Sequence, residues 1–187
     1  MPRILGISGS LRRGSYNTAL LNAAAKLVEP GTELEIASIR GIPLYDADVE
    51  TSEGVPQIVQ DLKARVMACD GLLLSTPEYN NGIPGVFKNA IDWMSRPAAD
   101  IPRVFGNRPV ALIGASAGPF GTVLAQSQWL SVLRFLRAHL WFDGRLIVPR
   151  GGQVFNEAGE LIDEAVRNQL RQFLQGFAHF IQSSGRS

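Results

Sequence analysis

The stretch Ile7-Ser8-Gly9-Ser10-Leu11-Arg12-Arg13-Gly14-Ser15-Tyr16-Asn17 joins two segments of different period, and that junction decides the fold. Before it, Ile4-Leu5-Gly6-Ile7 is an apolar run of strand length. After it, Ala19, Leu20, Ala23, Ala24 and Leu27 recur at helical spacing. The stretch is therefore a strand-to-helix connection, and the rest of the chain repeats the pattern. Leu34-Glu35-Ile36-Ala37, Gly71-Leu72-Leu73-Leu74-Ser75-Thr76 and Pro109-Val110-Ala111-Leu112-Ile113 read as further strands. The last two are continuous apolar runs, the mark of strands covered on both faces. A fifth strand falls within residues 140–148, with Gly144 as its point of interruption.

Helical spacing returns at Ile58, Val59, Leu62, Val66 and Met67, again from Val86 to Met94, and through Leu124, Leu130, Leu133 and Leu136. The final helix runs from Leu161 to Ile181. Residues 40–54 and 96–106 are too broken by proline, glycine and polar residues for either period, and read as connections. Five β-α units predict a single α/β domain over residues 1–187, a three-layer fold with a five-stranded parallel sheet in order 2-1-3-4-5. In that order the loops after strands one, three and four (8–17, 77–85 and 114–121) meet at one edge of the sheet.

The chemistry of the first loop is that of a phosphate cradle. Small residues let backbone N–H groups turn inward, hydroxyls donate, and the helix N-terminus adds a partial positive charge. The spacing Gly9-x-x-x-x-Gly14-Ser15 approaches a nucleoside-triphosphate loop but lacks its lysine, and no G-x-G-x-x-G is present. A helix cap alone needs only Ser15 or Asn17. Four hydroxyl or amide side chains beside two arginines exceed that need, and a single terminal phosphate suits the set.

In the second loop, Pro77 and Pro84 bracket Glu78-Tyr79-Asn80-Asn81 and stiffen it. A rigid backbone there suits the edge of a planar heterocycle, with Tyr79 offering an aromatic face. The third loop, Gly114-Ala115-Ser116-Ala117-Gly118, spells the G-x-S-x-G of a hydrolase nucleophile elbow. An elbow turns straight into a helix, whereas Pro119 and Gly121 intervene here. Asp143 or Asp163 and His179 follow Ser116 in the order an elbow requires, but His179 shares the polar side of its helix with Gln172 and Gln175, and His139 has no obvious partner. A loop of backbone donors with Ser116 beside a flat cofactor is the preferred reading.

Composition sets the outer bounds. Eighteen basic and 17 acidic residues leave a net charge of +1 in 187 residues, with no basic stripe to suggest nucleic acid. Cys69 is the single cysteine, which excludes an internal disulfide and thiolate metal clusters and suggests a packed core thiol. No apolar run reaches membrane-spanning length, and a strand that starts almost at once leaves no room for a signal sequence; a cytoplasmic location is expected.

These residues resemble a known family. The segment from Gly9 to Asn17 is similar to the L-R-x-x-S-x-N loop of the NAD(P)H-dependent FMN reductases. Thr76-Pro77-Glu78-Tyr79-Asn80, continuing through Ile83-Pro84-Gly85 to Lys88-Asn89-Ala90-Ile91-Asp92-Trp93, looks like that family's second motif. Ile42-Pro43-Leu44-Tyr45-Asp46-Ala47-Asp48 resembles its bacterial chromate and quinone reductase branch. The family more often has serine where Gly82 stands. The resemblance implies a flavodoxin-like fold, non-covalent FMN, NADPH or NADH as co-substrate, and a homodimer or homotetramer. It implies hydride transfer through flavin N5 to quinones, with chromate, ferric or azo compounds as less specific acceptors. By the same resemblance Ser10, Arg12, Ser15 and Asn17 hold the phosphate, and Leu11, Arg13, Gly14 and Tyr16 complete the loop. Pro77, Glu78, Tyr79, Asn80 and Asn81 border the ring, Ser116 meets its polar edge, and no catalytic side chain or metal is implied. The alternatives are an FMN electron carrier without turnover and a serine hydrolase acting through Ser116.

Overall fold

A computed structural model describes residues 1–185 of the chain. Strands β1 (Arg3–Ser8), β2 (Glu33–Ala37), β3 (Gly71–Ser75) and β4 (Pro109–Ala115) run parallel in the order β2-β1-β3-β4. The fifth position beside β4 is filled by two pieces, β5 (His139–Leu140) and β6 (Leu146–Val148). β5 pairs with Pro109 and Val110, β6 with Ile113 to Ala115. The predicted order 2-1-3-4-5 and the helices on both faces are thus what the chain adopts. The break falls where expected, for a packing reason. Trp141 turns out of the strand line onto the Phe173 ring (4.8 Å between centroids), and a Cβ at Gly144 would stand 2.3 Å from the Trp141 ring.

The sheet divides the core in two because alternate strand residues point to opposite faces. Leu5, Ile7, Leu72, Leu74 and Val110 face α3 (Gln57–Ala68), α4 (Gly85–Met94) and α6 (Val123–Phe135). Ile4, Leu73, Ala111, Ile113 and Ala115 face α1 (Tyr16–Leu27) and α8 (Glu164–Ser184). Cys69 is buried, and burial pushes its thiol up from the ordinary value, as a core thiol requires.

Four expectations are corrected. Residues 40–54 contain a helix, α2 (Ala47–Glu53), capped by Asp46, whose side chain accepts from Asp48 N–H. It buries none of its residues, so it carries no apolar period to read. Residues 96–106 are more than a surface connection: they hold a 3₁₀ turn at Ala98–Asp100 and α5 (Ile101–Val104), and Val104 and Phe105 are fully buried. In α6 the buried stripe is Ala125, Gln126, Trp129 and Leu133, while Leu124 and Leu130 face outward. Finally, a short α7 (Gly151–Val154) precedes α8, which starts at Glu164 with Asp163 as its cap, and Leu161 instead bridges to Phe155.

The segment that carries α2 is tied down by polar contacts. Tyr45 O–H donates to Glu50 Oε2 (2.9 Å) and Arg96 Nε donates to the same oxygen (2.7 Å). Asn89 and Trp93 of α4 both donate to Pro43 C=O (2.8 and 2.9 Å). Arg96 holds the Glu50 carboxyl below the usual carboxylate range. A depressed folded-state pKa contributes stability that is present above the unfolded value near 4.3 and is lost as pH falls through the folded value. Glu50→Gln should therefore lower the melting temperature at pH 7, and that effect should shrink as the pH falls below about 4.3 toward the lowered folded-state value. Thermal melts of both proteins across pH 3–7 check the sign.

Candidate functional site

β1 ends at Ser8, and the loop beyond it is shaped by specific contacts. Gly9 N–H donates to Ser75 C=O (2.9 Å), and a Cβ at Gly9 would stand 2.1 Å from the Phe87 ring, so only glycine lets the chain turn there. Ser15 caps α1 by accepting from the N–H groups of Asn17 (3.2 Å) and Thr18 (3.3 Å). The N–H groups of Leu11, Arg13, Gly14 and Ser15 meet no acceptor among the described residues. Arg40 reaches across from the end of β2 to hold Leu11 C=O (2.5 Å). The Arg12 guanidinium lies 5.4 Å above the Tyr16 ring, which stacks on Phe155 (5.9 Å). Unanswered donors, a preset cation and a helix N-terminus give this loop the chemistry that can hold an anion.

The second loop is tighter than its prolines imply. Tyr79 and Gly82 exchange both backbone hydrogen bonds (3.2 and 3.0 Å), and Asn80 and Asn81 sit at φ 49° and 61°. Two left-handed residues between a paired couple make a type I′ turn, which suits asparagine. The Glu78 carboxylate is engaged by the protein: Oε2 accepts from the N–H groups of Leu124 (2.8 Å) and Ala125 (2.9 Å) and caps α6. Gln128 of α6 grips the turn as well, through Asn81 C=O and Ile83 N–H.

Gly114 and Ala115 belong to β4, so the third loop starts at Ser116. A Cβ at Gly114 would stand 2.1 Å from Thr122 Oγ1 and 2.4 Å from Thr76 C=O, which explains that glycine without an elbow. Ser116 N–H donates to Val148 C=O and its hydroxyl to Gly118 C=O (3.0 and 3.4 Å). The N–H groups of Ala117 and Gly118 have no acceptor among the described residues.

One buried side chain joins the three loops. Asn17 is 2 % exposed. Its Oδ1 accepts from Ala115 N–H (3.0 Å) and Ser75 Oγ (3.0 Å), and its Nδ2 donates to Ala115 C=O (2.8 Å). The carboxamide read as a phosphate ligand is thus engaged with β3 and β4.

The loops enclose a cleft of about 570 Å³, within the range of small-molecule sites. Ser10, Arg12, Ser15, Tyr16 and Asn17 line one end, and Pro77, Glu78, Tyr79, Asn80 and Asn81 one wall. Residues 115–121, with Ser116 and an exposed Phe120, form the other wall. Of the anticipated residues, Leu11, Arg13 and Gly14 do not line it; Leu11 packs against the core, and Arg13 and Gly14 face outward. No histidine lines it either. His139 sits on β5 beside Pro109, at the opposite end of β4 from Ser116, and His179 is exposed on α8. A hydrolase reading therefore has no base. Arg40 and Gln128 escaped the sequence reading because their partners are backbone groups 29 and 47 residues away.

A 2-1-3-4-5 sheet with a donor-rich loop after β1, and two further loops walling a cleft beside it, defines a flavodoxin-like fold. The model of the NADPH-dependent FMN reductase family matches residues 2–153. An NAD(P)H-dependent FMN reductase of Pseudomonas aeruginosa is 43% identical over 180 residues, covering 96% of this chain and 95% of its own. A quinone reductase of Escherichia coli K12 is 36% identical, covering 96% and 95%. Among solved structures, a flavoenzyme NAD(P)H:(acceptor) oxidoreductase from Paracoccus denitrificans superimposes with a TM-score of 0.87 at 30% identity, over 98% of this chain and 99% of that one. The chain belongs to the NADPH-dependent FMN reductase family. It is an FMN- and NAD(P)H-dependent oxidoreductase related to quinone reductases.

Proposed function

We propose that this enzyme reduces quinones with NADPH or NADH, taking chromate, ferric and azo compounds less specifically. The observation that supports this most strongly is the meeting of the donor-rich loop after β1 and the Tyr79–Gly82 turn in one cleft, which offers room for a phosphate and a planar ring side by side. FMN held there would supply the redox chemistry, carrying a hydride equivalent from the nicotinamide, by way of its N5, to the acceptor. The protein's part is to bind and orient. Ser10, Arg12, and the hydroxyl and free N–H of Ser15 hold the phosphate, with the α1 N-terminus contributing its dipole. The Pro77–Asn81 wall and the Ser116 loop border the ring, and their N–H groups favour the negative charge it gains on reduction. Tyr79 and Phe120, 53% and 79% exposed at the rim, offer aromatic surface to a flat acceptor. No side chain needs to act as nucleophile or as proton carrier.

A homodimer or homotetramer is part of the same reading, supported by the large exposed side chains Phe120, Phe135 and Phe142. A cytoplasmic setting is also part of it; no helix among the described residues is long and apolar enough to cross a membrane.

The test is the visible spectrum of the purified protein reconstituted with FMN, followed anaerobically. A yellow protein that bleaches with NADPH or NADH and regains its colour on adding a quinone is the expected result. Bleaching without reoxidation by quinones or the other acceptors would overturn the proposed acceptor class. A protein that stays colourless would overturn the cofactor assignment.

A further inference from the structure

We propose that Gln128 is a positioning residue for the flavin ring: it stands outside the cleft and fixes the Asn80–Asn81 turn at its working distance. The inference rests on the FMN reading of the cleft. The Gln128 carboxamide donates from Nε2 to Asn81 C=O (2.9 Å), and its Oε1 accepts from Ile83 N–H (3.2 Å). A side-chain amide that answers one carbonyl and one N–H on either side of Gly82 does what a neighbouring strand would do. Gly82 leaves room for it, since a Cβ there would stand 3.3 Å from Gln128 Oε1.

Beyond Ile83, whose side chain packs on the core, the turn has few other hydrogen bonds to fix it. Asn80 and Asn81 are exposed, and the pair that closes their loop, Tyr79 and Gly82, moves with them. The other fixed point is Glu78, bound to Leu124 and Ala125 N–H one turn earlier on the same helix. α6 is itself anchored where Trp129 Nε1 donates to Thr76 Oγ1 (3.0 Å) at the end of β3. Residues 78–83 therefore hang from α6 at two points, and the point farther along the helix is Gln128. Glu78, Tyr79, Asn80 and Asn81 line the cleft, whereas Gln128 does not. Whatever Gln128 does to a ligand, it does through the turn.

The ring, not the phosphate, feels the turn, and this separates Gln128 from the anion loop. In Gln128→Leu, which keeps the volume and loses both hydrogen bonds, apoprotein should bind riboflavin and FMN more weakly by the same factor. That factor is about three- to tenfold, what one or two exposed hydrogen bonds supply. The Ile83 amide should exchange its hydrogen faster in the apoprotein, and the midpoint potential of bound FMN should move, because the turn's hold on oxidised and reduced rings differs. Gln128→Glu, which keeps an acceptor for Ile83 N–H and loses the donor to Asn81, should fall between. Affinities and potential unchanged in a folded Gln128→Leu would overturn the inference and leave the cofactor reading intact, as would a loss confined to FMN. Should Gln128→Leu fail to fold, Gln128→Glu decides on the same readouts. Wild-type apoprotein that binds neither flavin would overturn the cofactor reading and this inference together.

Discussion

Asn17→Leu is expected to cost the protein roughly 2–6 kcal/mol, the sum of one to three for each of two buried backbone groups left without a partner. Leucine fills nearly the same space, so little of the loss comes from a cavity. What disappears is the hydrogen-bonding role of Oδ1 and Nδ2, which together satisfy Ala115 N–H and C=O at the end of β4. Ser75 Oγ keeps a bond to Asn17 C=O (3.2 Å) and so adds less. Because Ser75 leads into the second loop and Ala115 into the third, the same change should loosen flavin binding as a whole, for riboflavin as well as FMN. Urea unfolding of the apoprotein measures the first effect. An unfolding midpoint equal to that of the wild type would show that the carboxamide does not carry the junction.

Arg12→Ala is expected to act in the opposite sense: strongly on ligand, weakly on fold. Arg12 is exposed, and its protein partners are the Gly14 carbonyl and the face of Tyr16. Its removal should leave the unfolding curve nearly unchanged. A charge-assisted hydrogen bond to a phosphate contributes about 1.5–3 kcal/mol, or roughly 10- to 150-fold in affinity. FMN should therefore bind that much more weakly, and riboflavin, which has no phosphate, just as before. Fluorescence titration of the apoprotein with each flavin makes the comparison. Equal losses for both flavins would mean that Arg12 acts through the loop's shape and not on the phosphate.

The kind of contact each feature uses decides whether the sequence alone reveals it. The strands and most helices were legible because burial on one or both faces writes a period into the chain. α2 buries nothing, so residues 47–53 carried no such mark. The leucines of α6 misled because the helix is oriented by polar anchors, Trp129 on Thr76 and Glu78 on the Leu124 and Ala125 amides. Those partners are 53, 46 and 47 residues apart, beyond any local pattern.

The site divides in the same way. Its loops were readable as loops, since small residues and prolines at strand ends announce backbone donors and stiffness. The roles of individual side chains were less so. Asn17 and Glu78 look like ligand groups by type, and the fold uses both carbonyl-bearing ends to hold loops in place. Gly114 looked like part of a catalytic elbow and is a point of close approach between Thr122 and Thr76. A polar residue in a cleft can serve the ligand or the wall, and only its partners tell which.

The proposed site is three separated loops closing around one flavin monophosphate. A crystal structure of the protein grown with FMN tests it directly. The phosphate should lie against Ser10, Arg12 and Ser15 at the start of α1, with the ring between the Tyr79–Gly82 turn and the Ser116 loop. Density for the flavin anywhere else, or a cleft holding no flavin at saturating FMN, would contradict it.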